Sequence, residues 1–359
     1  KHINTEKQIV LLSAVLSNAE QIKQWLFNEN GTLASDPAIK TTPKSIGFSS
    51  QTRDIHYYSE DPEREDFYVP RSIEVNLLKK LGKERKKRYF PKLTDPKDIA
   101  IYYANKLCKN GGAAIFANRT RSVQTIIQQI IDLDSREYDL SGIQKYSNTL
   151  EMSRIAKLMA DYYGCDHPYT KACNLGVAPH YSNLPNGLRL AIEYAFRKKD
   201  LHLVICTSTL AQGVNIPIKY LFMTSFMLDQ NSMKIRNFQN LMGRTARSGM
   251  YTEGSVIVTD SKLFDNKNNR RNGGFYKWEN CVKMFDSHAA EPCESSILWL
   301  VQDIEINHDD HVKGVYIANY IINNYSHWDC FESCYEKILQ AYERKKHCLL
   351  YTSPSPRDM

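Results

Sequence analysis

Leu201-His202-Leu203-Val204-Ile205-Cys206-Thr207-Ser208-Thr209-Leu210-Ala211-Gln212-Gly213-Val214-Asn215-Ile216-Pro217 is the stretch that sets the fold class. Leu201–Cys206 is a short apolar run ending in a Thr/Ser-rich turn, the pattern of a strand buried on both faces of a parallel sheet. Similar runs occur at Ala113–Ala117, Leu175–Ala178, Tyr220–Ser225 and Ser255–Thr259. Helical stripes lie between them. Val123, Ile126, Ile127, Ile130 and Ile131 recur at helical spacing, as do Leu188, Ile192, Ala195 and Phe196. Strands alternating with amphipathic helices predict an open, mostly parallel α/β sheet over residues 98–265.

Outward from that core the pattern changes. Gln8–Leu12 predicts another buried strand, followed by a helix capped by Asn18 with Gln21 at the capping-box position. Thr41–Tyr58 holds further strand-like residues. Residues 59–97 turn charged and carry Pro62, Pro70, Pro91 and Pro96, so an inter-domain linker is expected there. Beyond Asn266 the periodicity is helical, which predicts a largely α region over 266–347.

The chain has 359 residues, a formal net charge of +7, 42% apolar and 24% charged residues. That balance belongs to a globular protein of about two domains. No apolar run approaches the roughly 20 residues that cross a bilayer, so no membrane partner and a cytoplasmic setting are expected. None of the nine cysteines forms a CxxC pair. Cys108 and Cys206 sit in apolar runs, where cysteine acts as a small hydrophobe. His327, Cys330 and Cys334 would share one helix face but lack a fourth ligand, so no metal site is expected. Seven of the ten residues Lys79–Arg88 are basic and only Glu84 is acidic. Such a run either contacts a phosphate backbone or is a solvated linker, and charge alone does not choose.

Two elements carry candidate chemistry, both expected at the carboxyl ends of the strands, where ligands gather in such sheets. The turn after Cys206 offers hydroxyls and backbone N–H groups suited to phosphate oxygens, with Gly213 permitting close approach and Asn215 able to bridge polar groups. The second is Gln239-Asn240-Leu241-Met242-Gly243-Arg244-Thr245-Ala246-Arg247-Ser248-Gly249. As a helix beginning near Lys234, it would place Asn240, Arg244 and Arg247 on one face, with Gly243 allowing close packing beside the first arginine. Two fixed guanidiniums make a polyphosphate clamp. Each element alone has a plain structural explanation, in helix capping and in surface ion pairing.

Their order and spacing resemble motifs V and VI of superfamily-two helicases, closest to the superkiller-type DExH branch, where TSTLAxGVNxP is typical of motif V. Leu12-Ser13-Ala14-Val15 resembles motif III, and Trp25-Leu26 falls where that branch keeps such a pair. Ala114-Ile115-Phe116-Ala117-Asn118-Arg119-Thr120-Arg121 resembles motif IV. Gly176–Glu193, with His180, Pro185, Arg189 and Glu193, resembles motif IVa. The likeness covers about Gln8–Asp260. Three departures stand out: Asn240 replaces the usual glutamine with Gln239 shifted by one, Ala246 replaces the second glycine of motif VI, and motif III has Val15 rather than threonine.

The resemblance implies a RecA-like helicase C-terminal domain over 98–265, preceded at 1–58 by the end of a first RecA-like domain and followed by a partial helical accessory region. It implies that Arg244 and Arg247 reach the γ-phosphate of ATP, and that Gly213, Asn215, Asn240 and Gly243 lie at the nucleotide. Asn118, Arg119, Thr207 and Ser208 would touch nucleic-acid phosphates, single- or double-stranded, RNA or DNA. Ser13 would relay between the two. ATP and Mg²⁺ are the implied cofactors, and ATP-driven strand translocation or unwinding the implied activity. A non-catalytic RecA-like module that binds nucleic acid or scaffolds a complex is the alternative.

No GxxxxGK[ST] loop and no DExH or DEAD box occurs in these residues; in this family both precede motif III. The chain by itself is therefore expected to be inactive, with ATP and Mg²⁺ held mainly by an upstream domain. Cys348–Asp358 matches the in-frame translation of a widely used transposase sequencing adapter, so residues 348–359 are set aside from fold reasoning and both ends are expected to be cut.

Overall fold

The computed structural model describes residues 42–58, 64–208, 216–228, 231–232, 235–246, 250–285, 304–307 and 310–312, together with positions 20, 23, 24, 32 and 33. Two compact units divide the chain, Lys1–Glu291 and Pro292–Met359. In the second, the described residues form a small antiparallel hairpin.

In chain order the first unit begins with β1 (Lys44–Ser49), β2 (Ile55–Tyr58), β3 (Phe67–Val69), β4 (Asn76–Leu77) and β5 (Tyr89–Phe90), then α1 (Pro96–Leu107) and β6 (Ala113–Phe116). There follow α2 (Thr120–Ser135), α3 (Ser141–Gln144), α4 (Thr149–Tyr163), α5 (Pro168–Asn174), β7 (Val177–His180), α6 (Asn186–Lys198), β8 (Leu203–Cys206) and β9 (Tyr220–Met223). A short hairpin, β10 (Met227–Leu228) and β11 (Asn231–Ser232), precedes α7 (Ile235–Met242), β12 (Gly254–Val258), α8 (Ser261–Asp265) and α9 (Gly274–Phe285). The second unit contributes β13 (Ile304–Asn307) and β14 (Asp310–Val312).

Eight strands form one sheet in the order β3-β2-β1-β12-β9-β6-β8-β7. From β1 to β7 every pairing is parallel, while β2 and β3 add on antiparallel. The sequence explains the layering. Strands β6, β7, β8 and β9 are buried at every position, because helices cover both faces of a parallel sheet. Pro179 removes a donor from β7 and is tolerated because β7 is an outer strand. The stripe Val123, Ile126, Ile127, Ile130 and Leu133 is the buried face of α2. Caps set helix starts: Asp95 accepts from Lys97 N ahead of α1, and Asn148 accepts from Leu150 N and Glu151 N ahead of α4. Phe116 and Phe222 are fully buried, each worth about 2–3 kcal/mol of apolar transfer.

The architecture is the expected α/β RecA-like sheet, but its boundaries differ from those read off the sequence. β1 pairs with β12 in register Lys44↔Gly254 through Phe48↔Val258, so residues 44–58 share a sheet with residues 98–265 rather than standing before a linker. The stretch 59–97 supplies β3 to that sheet and the β4–β5 hairpin beside it. Its prolines and charges fit short edge strands and turns as well as a linker. α9 also packs on this unit: Trp278 and Phe285 meet Phe48 at 4.7 and 6.1 Å between ring centroids. Within the expected helical region, residues 304–307 and 310–312 are strands. β7 begins two residues later than the expected Leu175–Ala178, because Gly176 takes a φ of +80° at the turn before it. The expected strand at Gln8–Leu12, Ser13, and the His327, Cys330, Cys334 set lie outside the described residues.

Candidate functional site

Parallel strands give the sheet two unlike edges, and the motif residues divide between them. At the carboxyl edge, Phe116 stands opposite Cys206 and Met223, and His180 opposite Cys206. The turns that follow β6 and β8 are therefore neighbours. Ala117 N donates to Cys206 O at 2.8 Å and Thr207 N to His180 O at 3.2 Å. This brings Asn118, Arg119, Thr207 and Ser208 onto one ledge. Arg119 is exposed, Asn118 and Ser208 are half-buried, and Thr207 is buried, with its backbone N–H engaged by His180 O. Asn118 Oδ1 accepts from Ser122 Oγ at 3.1 Å. The first turn of α2, a 16-residue helix, opens onto the same ledge, and its N–H groups and dipole favour phosphate.

Hydroxyls staple that edge. Thr224 Oγ1 donates to Phe116 O at 2.8 Å, Thr259 Oγ1 to Met223 O at 3.1 Å, and Ser49 Oγ to Val258 O at 3.1 Å. Each hydroxyl satisfies the last carbonyl of the adjacent strand. The sequence pattern did not single these out, although a Thr or Ser at the end of a strand or directly after it was a visible signal.

His180 props the ledge from behind. It is fully buried, with Nε2 2.9 Å from Glu193 Oε1, and Arg189 Nε lies 4.0 Å from the same oxygen. Burial holds the imidazole below the usual histidine range of 6.5, outweighing the Glu193 carboxylate that pulls it upward. The unfolded chain then binds that proton more readily than the folded one, so the contribution is present above pH 6.5 and is lost as pH falls below it. Unfolding midpoints measured from pH 7.5 to 5 should fall with acidification, and His180→Gln should flatten that slope. An unchanged slope in the variant would remove His180 as the cause.

The second element sits elsewhere. The helix expected from Lys234 through Arg247 ends at Met242, and Arg244 lies in the turn beyond it. Its backbone N donates to Leu241 O at 3.1 Å, and its carbonyl accepts from Ile218 N at 3.3 Å. Ile218 and Thr245 form a parallel bridge, and Ala246 N donates to Ile218 O at 2.8 Å. Ile218 precedes β9, and Lys219 N donates to Gly112 O at the start of β6. Arg244–Ala246 therefore lie at the amino edge, opposite the ledge, which corrects the expectation that both elements gather at strand carboxyl ends. Ser208 lies at one edge and Ile216 leads into the other; residues 209–215 between them lie outside the described residues.

Helix geometry no longer unites Asn240 with Arg244. Gln239 is buried and Asn240 half-buried in the last turn of α7. Gly243 is exposed, and a Cβ there would meet first the carbonyls of Gln239 and Asn240 of its own helix, at 3.3 and 3.5 Å. Among the described residues it clears space for no neighbouring element, unlike the close packing expected there. Ala246 adopts a φ of +58°, in the left-handed region that glycine favours. Arg247, Gly213 and Asn215 lie outside the described residues.

The residues present fit ATP only in part. Arg244 brings a planar, permanently charged donor set suited to phosphate oxygens. Among the described residues no group of three or more His, Cys, Asp or Glu side chains is placed to hold a metal ion. Among the same residues no helix is long and apolar enough to cross a membrane.

Comparison with known proteins follows the same lines. The family model for the helicase conserved C-terminal domain matches residues 139–249. Hachiman protein HamB of Bacillus cereus is 26% identical over 255 residues, covering 70% of this chain and 22% of that protein. ATP-dependent DNA helicase Hel308 of Methanococcus vannielii is 24% identical over 273 residues, covering 72% of this chain and 31% of its own. Helicase POLQ-like of Homo sapiens is 24% identical over 257 residues, covering 71% and 21%. The chain thus spans between a fifth and a third of the length of these relatives. Parallel α/β sheet, ordered motifs and matched domain agree, and this chain holds the C-terminal region of a superfamily-two helicase.

Proposed function

We propose that the intact protein couples ATP hydrolysis to translocation along, or unwinding of, nucleic acid, and that this chain supplies its second RecA-like domain. One observation carries the reading: one mostly parallel sheet puts Asn118, Arg119 and Ser208 on its carboxyl edge and Arg244 on its amino edge. Phosphates of the strand rest on the ledge in a sequence-independent manner. Arg244 addresses the nucleotide, whose β- and γ-phosphates and Mg²⁺ are held by a GxxxxGK[ST]-bearing domain outside these 359 residues. Bound ATP supplies the phosphoryl group. The residues here bind, orient and sense it, and closure of the cleft around it moves the strand on the ledge. The 359 residues alone hydrolyse no ATP. DNA is the substrate favoured by relatives such as Hel308, a DNA helicase by name, and a cytoplasmic setting suits the buried free cysteines Cys108, Cys173, Cys206 and Cys281.

The test is DNA binding by the full-length protein across a salt series. Arg119→Ala should weaken binding about tenfold and flatten the log–log salt slope by about one phosphate contact, 0.7–0.9. Asn118→Ala should weaken it less, since that side chain is half-buried against Ser122. An Arg119→Ala protein with wild-type affinity and slope would take the ledge out of the nucleic-acid path.

A further inference from the structure

Lys79–Arg88 join β4 to β5, and their seven basic residues belong to no element used so far. The neck of this loop is fixed. Leu78 and Phe90 are buried, Leu78 N donates to Arg88 O at 2.9 Å, and Phe90 meets Tyr138 edge-on at 4.8 Å.

Its one acid is turned inward. The side chain of Arg136, at the end of α2, is 2% exposed. It donates to both carboxylate oxygens of Glu84 at 2.9 and 2.8 Å, to Asp132 Oδ2 at 2.8 Å, and to Lys79 O at 2.9 Å. This bidentate clamp holds the Glu84 carboxyl far down, at about 2. Lys79 pairs with Glu137 and Arg88 lies 3.7 Å from Asp132; with Glu84 held from within, the rest of the loop's outer face is cationic. Lys83, Arg85, Lys86 and Lys87 are exposed and form no ion pair among the described residues.

Flat rings accompany the charges. Tyr89, beside Arg88, is 54% exposed. A cleft of about 650 Å³ on one side of the hairpin is lined by Lys106, Lys109, Lys145 and Tyr146, the last 46% exposed, with Glu137 and Asp139 also on its wall, so that cations outnumber acids there. Cations interleaved with exposed aromatics suit a nucleic-acid backbone and its stacked bases, whereas an acidic protein surface would need only the charges. A solvated linker would need neither the buried arginine nor the pinned neck.

We propose that the Lys79–Arg88 loop is a second nucleic-acid contact, separate from the carboxyl-edge ledge. It rests on the reading of the ledge as the first contact. Helix α2 relates the two, since its first turn borders the ledge and its last residues hold the loop. Sixteen helical residues span on the order of 24 Å, or about seven nucleotides at 3.4 Å each.

The experiment compares wild type, Lys83→Gln/Arg85→Gln/Lys86→Gln/Lys87→Gln and Arg119→Ala in the full-length protein, on fluorescent DNA of about 4 nucleotides, too short to reach both contacts, and of about 24 nucleotides. The four loop side chains are exposed, so the unfolding midpoint should not move. On the long DNA the loop variant should bind at least about tenfold more weakly, with a salt slope flatter by about 3. On the short DNA it should match wild type, while Arg119→Ala weakens both. Wild-type affinity and slope on the long DNA overturn the proposal, and equal loss on both lengths overturns the separation of the two contacts. A loop effect without an Arg119 effect would instead sink the ledge reading and leave the loop standing.

Discussion

Arg244→Ala in the full-length protein should lower nucleic-acid-stimulated ATP turnover by about a hundredfold or more, on the order of 3 kcal/mol of transition-state stabilisation, while DNA binding stays near wild type. The expectation comes from where the residue is anchored. Its carbonyl accepts from Ile218 and its amide donates to Leu241, so the guanidinium leaves a turn tied both to the residues ahead of β9 and to α7. A fixed donor fork loses little on engaging a phosphate that gains charge during transfer. The ledge lies at the other edge of the sheet, and its phosphate contacts should survive. Arg244→Lys keeps the charge but not the planar fork, so most of the loss should remain. Steady-state ATPase and DNA-binding measurements on the same preparations check this. Wild-type turnover in Arg244→Ala, or a parallel collapse of DNA binding, would remove Arg244 from the nucleotide side.

The second large effect concerns the joint beneath that turn. Gly254 opens β12, and a Cβ there would lie 2.6 Å from Ala246 Cβ and 3.0 Å from both Ala246 N and Thr245 Cγ2. None of these can withdraw easily. Ala246 N is bonded to Ile218 O at 2.8 Å, and Gly254 N to Pro43 O at 3.2 Å, in register with β1. Gly254→Ala should therefore cost about 2–3 kcal/mol and lower the melting temperature by about 5–10 °C. Ala246→Gly alone should be near neutral, since relief of a left-handed backbone, about 1 kcal/mol, offsets loss of a buried methyl of similar worth. In the Gly254→Ala background the same change removes the closest clash and should recover about 1 kcal/mol or more. Thermal unfolding of the four proteins gives the coupling directly. Simple additivity would mean that the two positions do not press on each other.

The pair also explains a departure in the motif. Where the family keeps glycine, this chain has Ala246 at φ +58°, and the space for its methyl is provided by Gly254 across the joint. The substitution was readable in the sequence. Its compensation was not, because the two residues meet only through the pairing of β9 with β12 and of Ile218, ahead of β9, with the turn.

Local chemistry fixed much in advance. Continuous apolar runs such as Leu203–Cys206 were legible as doubly buried strands, because no alternation means no wet face. The i, i+3, i+4 stripe of α2 gave its helix and its buried side. The turn after β8 was legible as suited to phosphate from strand-end position and residue type, whereas Asn118 and Arg119 after β6 were marked only by the resemblance to motif IV. What depended on distant pairing was not legible. Nothing local to residues 44–58 says that they join β12, since a parallel partner about 210 residues away leaves no periodic trace. Helical spacing carried α7 too far, because the bridge between Ile218 and Thr245 pulls the backbone out of the helix after Met242. The basic run Lys79–Arg88 was legible as charge, whereas its fixed posture depends on Arg136, 52 residues from Glu84. Sequence determined which segments are strands and helices and which side chains could hold phosphate, because those follow from burial pattern and functional groups carried by neighbours in the chain. Tertiary structure alone decided that the two phosphate-binding sets face opposite edges of one sheet, because strand order and direction are set by packing between segments remote in sequence.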